Sequence, residues 1–171
     1  MKIDLIAGAR PNFMKISPII DSINNLNKNL NYRLIHTGQH YDEKMSESFF
    51  TQLGIPKPDV NLGVGSGSHS FQVAEIMKRY EEEIQNHNPD ICLVVGDVNS
   101  TLACSIVAKK SNIKVGHVEG GIRSFDLSMP EEINRMVTDS ITDYFFTTSV
   151  YANNNLINSG FDKSNIFFVG N

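Results

Sequence analysis

The chain has 171 residues, one domain's worth, and its 40% apolar content is enough to bury a sizeable core. A formal net charge of −4 leaves no basic footprint for nucleic acid, and no apolar run is long enough to cross a bilayer. Two cysteines without CxxC spacing, Cys92 and Cys104, argue against a metal site and read as buried free thiols of a reducing cytoplasm.

Residues 3–7 read as a first strand rather than a signal peptide, because the start is short, carries Asp4 and runs into a turn. Residues 18–26 place Ile19, Ile20, Ile23 and Leu26 at helical spacing, and a second strand follows at 33–36. Asp42 can cap a helix that reaches Leu53, where Gly54-Ile55-Pro56 stops it. The run from Gly63 to Ser68 is flexible by composition and reads as either a mobile lid or a surface loop. A long amphipathic helix covers 71–85 and ends before Pro89. Strand 91–95, helix 101–109, strand 114–118, helix 131–140, strand 144–147, helix 151–158 and strand 166–169 complete the chain. Several of the strands are continuous Val- and Ile-rich runs, as expected when both faces are covered. Strands alternating with helices imply right-handed crossovers and a parallel sheet, so the fold class is α/β, a Rossmann-like doubly wound sheet. In such sheets ligands bind beyond the carboxyl ends of the strands. The polar groups here gather at that rim, which implies a partner domain across a cleft.

Four turns at the rim carry candidate chemistry. The first, Gly8-Ala9-Arg10-Pro11-Asn12-Phe13-Met14-Lys15, lacks both the G-x-G-x-x-G fingerprint and a Walker P-loop, and offers Arg10 and Lys15 to a phosphate or pyrophosphate. The second, Thr37-Gly38-Gln39-His40, brings Gln39 and His40 to the rim, as ligand contacts rather than catalysts. In the third, Gly96-Asp97-Val98-Asn99-Ser100-Thr101, any of Asn99, Ser100 or Thr101 can cap the next helix; Asp97 reads as a cap or, better, as an active-site acid. The fourth ends strand 114–118 on Glu119 and then Gly120-Gly121, which let a ligand approach the backbone. Arg123 can orient a carboxylate or bind an anion. Pro130 with Glu131 and Glu132 starts a helix, and Arg135 can pair with Glu131 at i+4.

Three acids with cations beside them suit proton transfers and a cationic sugar transition state, and Arg and Lys suit a leaving group that carries phosphates. The residues alone thus point to chemistry at a nucleotide-diphosphate sugar, with no redox cofactor and no metal.

These four turns, with Pro130-Glu131-Glu132-Ile133-Asn134-Arg135, occur in order and together resemble the non-hydrolysing UDP-N-acetylglucosamine 2-epimerases. The resemblance implies two Rossmann-like domains in the glycosyltransferase-B architecture, with the active site between them. Residues 1–171 would be the N-terminal domain, and the C-terminal UDP-binding domain would be absent, leaving this stretch inactive by itself. It implies interconversion of UDP-GlcNAc and UDP-ManNAc by elimination of UDP and re-addition to the glycal. Asp97, Glu119 and Glu131 are carried over as catalytic, with the residue that removes the C2 proton left open. Arg10, Lys15, Gln39, His40, Arg123 and Arg135 are carried over as substrate-binding, Gln39 and His40 through a motif that in some members holds a second, activating UDP-GlcNAc. A cytoplasmic enzyme of polysaccharide biosynthesis, homodimeric at full length, is implied. Gly120 stands where Ala is more usual, and the link from Arg123 to Pro130 is short. A hydrolysing relative that releases ManNAc and a non-catalytic nucleotide-sugar binding module are the alternatives.

Overall fold

The computed structural model describes residues 1–26, 29–38, 50–51 and 54–170. Its elements in chain order are β1 (Lys2–Ala7), α1 (Arg10–Asn25), β2 (Asn31–His36), β3 (Val60–Asn61), α2 (His69–His87), β4 (Ile91–Val95), α3 (Asn99–Lys110), β5 (Lys114–Val118), α4 (Pro130–Ser140), β6 (Tyr144–Thr147), α5 (Val150–Asn158) and β7 (Ile166–Phe168). The strands form one parallel sheet in the order β3-β2-β1-β4-β5-β6-β7. The chain leaves β1 toward one edge and β4 toward the other, so the order reverses between these two neighbours, and a crevice opens beyond their carboxyl ends.

Alternation along each strand feeds two cores, which is why β4 reads as an unbroken apolar run. Leu5, Ala7, Leu34 and Val95 face Phe13, Ile16 and Ile20 of α1 on one side of the sheet. Ile6, Ile35, Cys92 and Val94 face Ile76, Tyr80 and Ile84 of α2, with Ala103 and Cys104 of α3, on the other. Both cysteines are free and buried.

Three expectations from sequence need correction. Helix α1 begins at Arg10, two turns before Pro18, and runs through that proline. Pro11 fits the first turn, where its missing N–H costs nothing, and the buried Phe13, Ile16 and Ile20 hold the helix across Pro18. None of Asn99, Ser100 and Thr101 caps α3: Val98 occupies the cap, and the Thr101 hydroxyl donates to the Val95 carbonyl at 2.9 Å. The short β3 has no apolar run to announce it. Its pairing continues past its end, with Val64 N donating to Thr37 O and Gly65 N to Gly38 O, both at 3.0 Å. The Arg79 guanidinium also donates to the Leu62 and Gly63 carbonyls. The glycine-rich run is therefore pinned at its start, which favours the surface-loop reading over the lid. The Asp42 cap lies outside the described residues.

Candidate active site

Asn12 builds the floor of the crevice. Its side-chain oxygen accepts from the amides of Gly8 (3.1 Å) and Ala9 (2.8 Å), and its amide group donates to the Val95 carbonyl at 3.0 Å. One buried side chain thus ties the turn after β1 to the end of β4 across the point where strand order reverses. Arg10 stands exposed at the first position of α1, and half-buried Lys15 sits on the same helix next to buried Ile16, beside the end of β5.

Glu119 follows β5 with a left-handed backbone (φ 71°), a conformation that a non-glycine residue holds only when its surroundings fix it. Its amide donates to the Phe146 carbonyl at 2.8 Å, and its carboxylate accepts from Lys15 Nζ in an ion pair. The carboxylate reaches over Gly96, which itself has φ 70°; a Cβ there would sit 3.4 Å from Glu119 Oε2. The ends of β4 and β5 therefore bring Asp97 and Glu119 side by side.

Asp97 takes Arg135 of α4 on one carboxylate oxygen, with Nε at 2.9 Å and Nη2 at 2.6 Å. The third acid, Glu131, is half-buried on the first turn of that helix and makes no hydrogen bond or ion pair among the described residues. Arg135 does not take Glu131 as its partner. Its Nη1 goes to Glu132 at 2.7 Å, because Glu132 is 1% exposed and a buried carboxylate gains more from a counter-charge than a half-exposed one. Glu132 also accepts from the amides of Ser124 (3.0 Å) and Phe125 (3.1 Å) and the Ser124 hydroxyl (3.1 Å), so it fixes the segment after Gly121. Burial pushes the Glu132 carboxyl up, but the amide of Ser124 and the guanidinium of Arg135, with the other donors, outweigh it and hold it below the usual range.

Arg123 orients a carboxylate, one of the two roles its sequence position allowed. It pairs with buried Asp139 at 2.6 Å and donates to the Ile122 carbonyl at 2.8 Å. Gln39 and His40 lie outside the described residues.

Sequence reasoning assigned no role to His117, Asp139 or Asn12. His117 is fully buried between Asp139 and the Gly96 carbonyl. Asn134 donates to the Asp97 carbonyl at 2.8 Å and approaches Asn99, which donates to Gln72 at 2.8 Å and meets His69 at 3.2 Å. The available signal was spacing: Glu132 and Asp139 stand seven residues apart, on one face of a helix.

The arrangement offers two carboxylates with cation partners at adjacent strand ends, and a third acid on the neighbouring helix. It can stabilise positive charge and move protons on a ligand that enters between them.

The sequence matches the family model described as UDP-N-acetylglucosamine 2-epimerase over residues 23–171. A Methanococcus maripaludis protein named UDP-N-acetylglucosamine 2-epimerase homolog is 49% identical over 170 residues, covering 99% of this chain and 46% of that protein. A Pseudomonas aeruginosa UDP-2,3-diacetamido-2,3-dideoxy-D-glucuronate 2-epimerase is 44% identical over 163 residues, covering 95% of this chain and 46% of its own. The fold superposes on the crystal structure of Methanocaldococcus jannaschii UDP-GlcNAc 2-epimerase in complex with UDP-GlcNAc and UDP, with a TM-score of 0.95 and 44% identity, over 100% of this chain and 47% of that one. The chain spans about half the length of the relatives it matches.

Proposed function

Because this chain belongs to the UDP-N-acetylglucosamine 2-epimerase family, we propose that it is the N-terminal domain of an enzyme that interconverts UDP-GlcNAc and UDP-ManNAc. The observation that carries the reading is the trio of Asp97, Glu119 and Glu131 at the reversal of strand order, two of them already held by Arg135 and Lys15. In the proposed reaction the C1–O bond breaks and UDP leaves with its electron pair, while a carboxylate takes the C2 proton, giving the glycal. Return of the proton to the opposite face of C2 and re-attack of UDP at C1 give the epimer. Asp97 and Glu119 face the positive charge that builds at C1, and Arg10 and Lys15 meet the diphosphate. Glu131, without a cation partner among the described residues, is our candidate to move the C2 proton.

The second wall of the crevice would be a C-terminal UDP-binding domain. A reducing cytoplasm fits the two buried thiols, and no described helix is long and apolar enough to cross a membrane. Homodimerisation is supported by α4, which buries Glu132, Asn134, Thr138 and Asp139 and exposes Ile133, Met136 and Val137. Polysaccharide biosynthesis is the natural consumer of the product. A second sugar is favoured by one observation: the UDP-diacetamido-glucuronate epimerase is as similar, at 44%, as the UDP-GlcNAc enzyme.

The test is proton NMR of UDP-GlcNAc incubated in deuterium oxide with the full-length protein. UDP-ManNAc with deuterium at C2 is expected, and Asp97→Asn, Glu119→Gln and Glu131→Gln should each slow its formation by about 10²-fold or more while keeping the fold. Free ManNAc would assign the hydrolysing reaction instead, and binding without turnover the non-catalytic module.

A further inference from the structure

His117 lies wholly inside the protein on β5, with Nδ1 2.7 Å from Asp139 Oδ1 and Nε2 2.8 Å from the Gly96 carbonyl oxygen. A carbonyl oxygen only accepts, so Nε2 carries a hydrogen. Asp139 receives Arg123 at 2.6 Å and the Gly121 amide at 3.0 Å on its other oxygen. Burial pushes the Asp139 carboxyl up, but the donors from His117 and Arg123 outweigh it and hold it below the usual range. An ionised carboxylate also only accepts, so Nδ1 carries a hydrogen too. A neutral ring has one N–H and would leave a buried nitrogen lone pair against an oxygen.

We propose that His117 is a fixed double donor, an imidazolium that clamps the Gly96–Asp97 turn to helix α4 and acts as a positioning residue for the three acids. Each of those acids belongs to a segment the clamp touches. Asp97 follows Gly96, Glu119 lies two residues beyond His117 on the same chain, and Glu131 shares α4 with Asp139. Loss of either ring hydrogen removes one of the two bonds and lets the acids drift relative to one another. The charged groups around the ring are few. Helix α4 supplies Asp139, and the segment after β5 supplies Arg123, which acts through Asp139. The β4 turn supplies Asp97, whose carboxylate is turned to Arg135, and in β6 the register neighbour is Phe145, which is apolar.

The clamp stands on geometry alone; its consequence for turnover rests on the function proposed above, and the test separates the two. Nitrogen-15 spectra of the histidine rings, assigned through the backbone, read the clamp with no substrate present. At pH 7 both ring nitrogens of His117 should carry hydrogens. In Asp139→Asn the ring should fall to a single N–H, and the Gly96 and Asp97 amide signals should move with it. A singly protonated ring in the unmodified protein at pH 7 overturns the proposal, as do Gly96 and Asp97 signals that stay fixed while the ring changes state. Should Asp139→Asn not fold, His117→Gln gives the second reading: the Gly96 and Asp97 amide signals should move, and signals that stay at their unmodified positions overturn the clamp. In the active full-length protein, His117→Gln should lower kcat by about 10²-fold through misplacement of the acids, with KM unchanged. A variant with intact kcat would remove the positioning role even where the ring reading holds.

Discussion

Glu132 is the structural hinge of the site, and Glu132→Gln measures it with little change of shape. Four donors converge on the carboxylate: the Ser124 amide and hydroxyl and Arg135 on Oε2, and the Phe125 amide on Oε1. A glutamine can keep at best the three on its oxygen, and its NH2 group then confronts the Phe125 amide. One buried donor is orphaned, at about 1–3 kcal/mol, and the Arg135 bond loses its charge assistance, so the total is about 2–4 kcal/mol. For a chain of this size each kcal/mol moves Tm by about 2–4 °C, so circular dichroism should report a drop of roughly 5–15 °C at pH 7. The acid limb has a definite sign. The folded carboxyl titrates below the unfolded one, so its contribution is complete above the unfolded value of about 4.3 and disappears as pH falls through the lower folded value. The gap between Glu132→Gln and the unmodified protein should therefore be constant from pH 7 to about 5 and close below about 4. A gap under about 1 kcal/mol at pH 7, or one that persists at the acid end, refutes the reasoning.

Gly121→Ala should cost about 3 kcal/mol or more in urea unfolding, because the residue has φ 82° and its Cβ would lie 2.5 Å from the Ala152 carbonyl oxygen. Gly120→Ala has no positive φ to strain and meets side chains rather than backbone, the Phe145 ring edge at 2.9 Å and then Asp139 Oδ1 and His117 Nδ1 at 3.4 Å, and should cost about 1 kcal/mol; equal costs would overturn this ordering. Burial pushes the Cys92 thiol up to about 12 and the Cys104 thiol well above its ordinary value, so a thiol reagent at pH 8 should label neither in the folded protein and both in denaturant. Rapid labelling of the native chain would contradict the burial. Lys15→Met should weaken binding of UDP by the full-length enzyme, read by calorimetry, while leaving Tm nearly unchanged because the pair with Glu119 is partly exposed.

The sheet was legible because its strands are covered on both faces, so Ile91–Val95 appears in the sequence as an unbroken apolar run, and Lys114–Val118 keeps Val115 and Val118 around Gly116 and His117. Asp97 and Glu119 were legible for the same reason: a charge directly after such a run must leave the core at the rim. The opening of α1 was not, because Pro11 and Pro18 look like breakers, and only tertiary burial of Phe13 and Ile16 shows that the helix passes between them. The partners of the acids were not legible either. Arg135 lies three residues from one glutamate and four from another, and burial, which the sequence does not state, decides between them.

Helix α4 shows why burial was hard to foresee. By apolar period alone, Ile133, Met136 and Val137 would face the core; instead they face outward, and Glu132, Asn134, Thr138 and Asp139 face in. Buried ion pairs such as Glu132–Arg135 and Asp139–Arg123 seldom improve on apolar packing of equal volume, so stability alone does not account for them. They do fix directions. Arg135 joins Glu132 to Asp97, Asp139 joins Arg123 to His117, and His117 joins both to the end of β4. An apolar helix could fill the same volume while leaving Asp97 without its guanidinium and the Gly96 carbonyl without its donor. The inverted helix makes physical sense only if its inner face serves the acids and its apolar outer face meets another surface. That link ties the proposed chemistry to the proposed dimer: a substitution such as Met136→Lys on the outer face should disturb assembly first and turnover second.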